Sequence, residues 1–172
     1  MDKNEVHKEL SKFGKSVVKA ARSKVKKNSG DLEASIGFDL DVYANSFSMS
    51  FFMADYGIFV DEGVRGAGGT RKTTSKYDTT NNRGKIWKQK GGNSRFSFKD
   101  RKPPLSVFEK YANDKGHAFA IQESVFRQGL KPSLFFTKPF EDAFMTLSDR
   151  LIEKFGLDID QFLEDTLLGT EK

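Results

Sequence analysis

Acidic side chains are the natural starting point for any reaction this chain could run. Asp39 and Asp41 alternate along one stretch, so in an extended backbone both point to the same face, and Asp61 and Glu62 follow a short way on. Metal-assisted phosphodiester cleavage needs such oxygens to converge on one cation. No acid-x-Lys arrangement stands on a neighbouring stretch to complete that site, so these acids are read as solvated strand and helix faces. Two histidines, His7 and His117, are too few for an imidazole-rich metal centre. His117 follows Gly116 at a helix start and suits a polar cap. The chain has no cysteine, which excludes disulfides, thiolate metal sites and Cys nucleophiles. Serine is plentiful, yet no Gly-x-Ser-x-Gly elbow surrounds one. Gly66-Ala67-Gly68-Gly69-Thr70-Arg71-Lys72 has the composition of a phosphate loop but neither its spacing nor its strand-to-helix setting. No catalytic residue, metal ligand or cofactor is expected, and the chain reads as a non-enzyme.

Charge is the chemistry that remains. The formal net charge is +5, but it is unevenly spread. Residues 1–30 carry nine Lys and Arg against three acids, and residues 64–102 carry twelve against two. Residues 141–172 reverse the sign, with three basic and nine acidic side chains. Such polarity suits either contact with nucleic acid or the meeting of one copy's basic part with the next copy's acidic part.

The basic middle also carries aromatic rings. Lys85–Lys90 and Arg95–Lys99 flank Gly91-Gly92-Asn93-Ser94, a plausible hairpin turn. Pairing across it would set Lys90 opposite Arg95, Gln89 opposite Phe96, Lys88 opposite Ser97 and Trp87 opposite Phe98. One face then holds Trp87, Phe96 and Phe98, and the other holds Lys88, Lys90, Arg95 and Lys99. Residues 64–102 are therefore expected to form a basic extended arm. Arg71, Lys72, Lys85, Trp87, Lys88, Lys90, Arg95, Phe96, Phe98 and Lys99 are its candidate contacts. A lone two-stranded ribbon is marginal in water, so the arm needs a partner surface. Latching onto a neighbouring subunit, stacking and phosphate contact with DNA, and simple disorder are the three readings open to it.

The elements that would carry these residues follow from periodicity. Val6, Leu10, Phe13, Val17, Ala21 and Val25 recur at helical steps, with lysines filling most of the opposite face. Those lysines are read as a solvated face or as an electrostatic contact. Asn28-Ser29-Gly30 stops this helix, with Gly30 free to take a left-handed cap. Phe38, Leu40 and Val42, then Phe47, Met49, Phe51 and Met53, alternate with polar residues on two strands joined around Ala44-Asn45-Ser46. A short helical turn spans Asp55–Gly63. Leu105, Val107, Phe108 and Tyr111 suggest a helix ending near Gly116, and a second runs from about Ala118 to Gln128, stopped by Gly129. Leu130–Phe136 is extended around Pro132. Phe140, Phe144, Leu147, Leu151 and Phe155 form a helical stripe broken at Gly156, and Asp158 caps a final helix. The order predicts an α+β fold: a small antiparallel sheet packed by an N-terminal helix and C-terminal helices, with a long basic hairpin arm, in one domain over residues 1–172. Seventeen phenylalanines against one tryptophan and four tyrosines supply large rings for that core. No apolar run is long enough to span a bilayer and the N-terminus lacks a signal-peptide block, so no membrane association and use in the cytoplasm are expected.

Three stretches resemble a known family. Ser29-Gly30-Asp31-Leu32-Glu33-Ala34-Ser35-Ile36 is similar to that family's threonine-glycine-x-leucine-x-x-serine-isoleucine opening, with Ser in place of Thr. Tyr56-Gly57-Ile58-Phe59-Val60-Asp61-Glu62-Gly63 resembles its tyrosine-alanine-x-x-valine-glutamate-x-glycine motif, Gly57 and the extra Asp61 departing from the usual form. Ala118-Phe119-Ala120-Ile121 through Gly129-Leu130-Lys131-Pro132-Ser133-Leu134-Phe135-Phe136 is similar to its late helix and glycine-x-lysine-proline segment. The family is the tail-completion (neck, tail-terminator-like) proteins of long-tailed bacteriophages, matched over most of residues 1–156 apart from the arm. The motif residues are Tyr56, Val60, Glu62, Gly63, Lys131, Pro132, Phe135 and Phe136. The resemblance implies a structural virion protein without catalysis or cofactor. It would assemble as a homo-oligomeric ring, six or twelve copies being usual, at the head–tail junction. There it would join capsid and portal to tail, touch other neck, portal or tail proteins, and surround a channel where non-specific contact with genomic DNA is expected. The alternative is a sequence-independent DNA-binding protein acting through the basic arm.

Overall fold

The computed structural model describes residues 3–25, 30–43, 46–70, 85–99, 101–155 and Leu163. It is α+β, with a small antiparallel hairpin packed by helices from both ends of the chain. The chain divides into two compact units. One comprises residues 1–61 with 134–172, and the other comprises residues 62–133.

In the first unit, helix α1 (Lys3–Lys24) buries the predicted stripe: Val6, Leu10, Phe13, Val17 and Ala21 are all 3% exposed or less. Gly14 interrupts that face, where a helix gives up about 1 kcal/mol relative to alanine. The site requires it, since a Cβ there would lie 2.5 Å from the Phe38 ring. Gly30 is left-handed (φ 80°), as expected, but it is the N-cap of a short helix, α2 (Asp31–Ser35), rather than the end of α1. Strands β1 (Gly37–Val42) and β2 (Phe47–Phe52) pair antiparallel with Phe38 opposite Phe51, Leu40 opposite Met49 and Val42 opposite Phe47. That register keeps the apolar alternation of both strands on one face.

The C-terminal stripe buries as predicted but in two helices, α6 (Thr137–Phe144) and α7 (Asp149–Phe155). Thr146 Oγ1 donates to the Ala143 carbonyl at 2.6 Å and Ser148 Oγ to Glu9 Oε2 at 2.6 Å. Hydroxyls that take backbone and side-chain partners in this way open a helix at 145–148. Phe140, Phe144, Leu147 and Leu151 remain buried across the break. Ring contacts tie the layers together: Phe13 meets Phe140 edge-on at 5.4 Å, and Phe51 meets Phe136 at 5.4 Å and Phe140 at 5.9 Å. Leu163 packs on the same core. The expected Asp158 cap and its helix otherwise lie outside the described residues.

The second unit begins where helix α3 (Gly57–Glu62) ends. Strand β3 (Val64–Arg65) pairs antiparallel with β4 (Gly129–Leu130). Helix α4 (Leu105–Glu109) and helix α5 (Lys115–Gln128) follow the basic stretch, with Phe108, Ala118 and Phe126 buried. Helix α5 starts earlier than its apolar pattern suggests because Asp114 caps it, accepting from His117 N–H at 2.9 Å. His117 Nδ1 accepts in turn from Asn113 N–H at 3.5 Å, so this histidine has the capping role expected of it.

The hairpin pairing expected across Gly91–Ser94 does not form. The turn exists, since Ser94 N–H donates to the Gly91 carbonyl at 3.2 Å, but its flanks bond elsewhere. Arg65 N–H donates to Phe96 O at 2.8 Å and Phe98 N–H to Arg65 O at 2.9 Å, laying residues 96–98 beside β3. Lys90 N–H donates to Gln128 O at 2.7 Å, and Trp87 N–H to Gly69 O at 3.0 Å. A free two-stranded ribbon leaves half its backbone groups to water. Here β3 offers a second edge, and each flank takes it or its neighbours instead.

Candidate functional site

Asp61 is wholly buried, not the solvated acid its sequence position suggested. Its Oδ1 accepts from Phe136 N–H at 2.8 Å, and its Oδ2 accepts from the Thr137 hydroxyl at 2.5 Å and from Thr137 N–H at 3.3 Å. A carboxylate carried 75 residues away thus caps α6, whose first N–H groups have no partner inside the helix. Asp39 and Asp41 stay exposed on the outer face of β1. Glu62 is held by Arg95 at 2.7 Å. Among the described residues, no three acids or histidines gather as a metal site would require.

The family-like residues occupy distinct environments. Tyr56 and Lys131 are exposed, and Val60 packs against the core of the first unit. Phe135 and Phe136 lie in that core, at 1% and 0% exposure. Gly63 has φ 74° and faces Pro132, and a Cβ on it would meet the Leu130 carbonyl at 2.5 Å. Only glycine tolerates both conditions.

The candidate arm residues are split by the fold. Arg71 and Lys72 lie outside the described residues. Lys85, Lys88, Lys90, Arg95 and Lys99 are exposed, while Trp87, Phe96 and Phe98 are half-buried. Arg95 is engaged inside its own unit, bonded to Glu62 and seated over the Phe96 ring at 5.0 Å. Phe98 packs against Phe126 at 6.1 Å. Phe98 is thus spent on Phe126 and Phe96 on Arg95, and Lys85, Lys88, Lys90 and Lys99 are the exposed groups of the stretch.

Sequence reading missed a network beside that surface. Lys102 Nζ approaches Glu123 Oε2 at 2.5 Å, and Arg127 Nε approaches Glu123 Oε1 at 2.9 Å. Arg127 reaches on to the Gly68 carbonyl at 3.3 Å. Burial pushes the Glu123 carboxyl upward, but the hydrogen bonds and charges of Lys102 and Arg127 outweigh it and hold the group below the usual carboxylate range. The four-residue spacing of Glu123 and Arg127 on one helix was the available signal.

The lysine face of α1 is more ordered than a generic solvated face. Lys8, Lys12, Lys15, Lys19 and Arg22 are all exposed and recur at steps of four, three, four and three. At 3.6 residues per turn they fall within an arc of about 80° and run for about 21 Å. Arg22 is fixed in place, donating from Nε and Nη2 to the Ile36 carbonyl at 3.2 and 2.7 Å. Lys15, Lys19 and Arg22 also line an open groove of about 600 Å³ with Val18, Ser23, Glu33 and Phe38. Comparison of the chain with known families, with curated proteins and with solved structures yields no match.

Proposed function

We propose that this chain is a structural subunit of a tailed-bacteriophage particle. Identical copies close into a ring at the head–tail junction, joining capsid and portal to the tail around the DNA channel. The observation that carries this reading is the meeting of two stretches singled out by resemblance alone. Gly63 of the tyrosine-to-glycine stretch sits against Leu130 and Pro132 of the glycine-x-lysine-proline stretch. Chance matches some 70 residues apart have no reason to be in contact, whereas parts of one shared motif do.

The charge layout supports the same reading. A ring built from one kind of subunit uses head-to-tail contacts, so each copy presents two different and complementary surfaces. The excess of ten positive charges over residues 64–102 and of six negative charges over residues 141–172 provides opposite signs on one chain. Native mass measurement and negative-stain imaging of the purified protein test this. Rings of six or twelve copies are the expected result. A monomer at every concentration that also fails to bind portal or tail components overturns the reading.

A further inference from the structure

We infer that the exposed face of α1 is a docking surface for the phosphate backbone of double-stranded DNA, carried by Lys8, Lys12, Lys15, Lys19 and Arg22. The inference goes beyond the ring reading and does not depend on it. It also assigns the nucleic-acid contact to a different part of the chain from the basic stretch that the sequence drew attention to.

Comparison of the two cationic regions leads there. In the second unit, Arg95 pairs with Glu62 and Lys102 and Arg127 share Glu123, while the exposed Lys85, Lys88, Lys90 and Lys99 lie on an irregular stretch with no helical repeat to align them. Among the described residues, none of the four α1 lysines forms an ion pair. Their nearest acids in sequence are Glu5 and Glu9, and Glu9 accepts from Ser148. Glu33 is the one acid lining the groove that Lys15, Lys19 and Arg22 share. A straight row of unneutralised cations on a helix gives a sustained positive potential along one line.

The form of the surface selects the partner. Duplex DNA is a stiff rod carrying one negative charge per roughly 1.7 Å of axis, so a rigid row about 21 Å long meets many phosphates at once. Single strands are usually gripped by aromatic rings on which bases stack. On α1 the Phe13 ring is buried, and the exposed His7 imidazole lies about 100° around the helix from the middle of the cationic row. An acidic protein segment is the competing occupant, and the same experiment separates it from DNA.

Binding of a fluorescent 20-base-pair duplex of arbitrary sequence to the full chain is followed by anisotropy across a salt series. Each lysine lost from a phosphate contact lowers the slope of log affinity against log salt by about one. The triple substitution Lys12→Gln, Lys15→Gln, Lys19→Gln should therefore lower it by about three and weaken binding at low salt more than tenfold. The matched triple Lys88→Gln, Lys90→Gln, Lys99→Gln should lower the slope by less than the α1 triple, and an equal or larger drop would overturn the assignment to α1. The single changes Lys15→Gln and Lys19→Gln keep the test valid if the triple variant melts early. The inference is overturned if the parent protein does not bind the duplex, if the α1 variants keep the full slope, or if polyglutamate of equal charge displaces the duplex and binds more tightly. The native mass reads the ring separately, so either proposal can fail alone.

Discussion

In the unit formed by residues 1–61 and 134–172, the contacts that decide the fold are between phenylalanine rings. In residues 62–133 they are between main-chain atoms. The first unit layers Phe13, Phe51, Phe136 and Phe140 within ring distances of 5.4 to 6.2 Å. The second brings Gly66 against the Arg127 carbonyl, Gly91 against the Val64 carbonyl, and Gly129 against both Val64 and Gly66. A Cβ at any of these three would sit 2.0 to 2.2 Å from a carbonyl oxygen. Gln89 completes the arrangement, accepting from Gly66 N–H at 3.0 Å and donating to the Arg127 carbonyl at 2.8 Å. The first unit is thus stabilised mainly by apolar area removed from water and the second by close backbone approach and hydrogen bonds. The two should fail under opposite changes.

Removing side-chain volume should be worst in the ring-packed unit. Phe140→Ala empties a site with no exposure and four ring neighbours. A loss of about 4 kcal/mol is expected, the usual range for a buried phenylalanine. Hydrogen exchange followed by mass spectrometry should show α1, β1, β2 and α6 peptides losing protection. Adding volume should be worst in the backbone-packed unit. Gly129→Ala places a methyl group 2.0 Å from the Val64 carbonyl at φ 83°, where an L-residue is already strained. About 3 kcal/mol is expected, and peptides from β3, β4 and residues 85–99 should exchange faster. Similar exchange patterns for the two variants would dissolve the contrast.

The same difference explains what could be read from the sequence. Helix α1, the β1–β2 register and the Phe140 to Leu151 stripe are written as spacing of apolar side chains, and spacing is visible in a linear text. The pairing of residues 85–99 is not. It depends on which backbone edge lies close enough, and glycines mark that a close approach occurs without saying to what. The local turn signal at Gly91–Ser94 was correct as a turn, and misleading as a hairpin, because β3 competes for the flanks. Asp61 shows a third case. A carboxylate between Val60 and Glu62 looks like any helix acid, and its burial follows only once α6 arrives with unsatisfied N–H groups. On the candidate surface, the repeat of cations along α1 was legible at helical period. What the sequence did not show was which of the basic side chains elsewhere are already paired.

Pairing of that kind makes the smallest and most specific expected effect. Glu123 holds Lys102 and Arg127 and thereby ties α5 to the segment before α4 and, through Arg127, to Gly68. Its folded pKa is depressed, so its contribution to stability is fully present above the unfolded value of about 4.3 and is lost as pH falls through the lower folded value. Glu123→Gln should therefore destabilise the protein at pH 7 by about 1 kcal/mol or less, since the pair is partly exposed and solvent screens it. Protonation makes the parent carboxyl resemble the amide, so the gap between the two proteins should close as the pH falls through the lowered folded value and Glu123 takes up its proton. Urea unfolding of both proteins at each pH measures this. A gap of constant size across the series would mean that the side chain acts through shape and packing and that the ion pairs contribute nothing. Raising the salt to 1 M at pH 7 gives an independent reading, because screening should shrink the same gap without changing the protonation state.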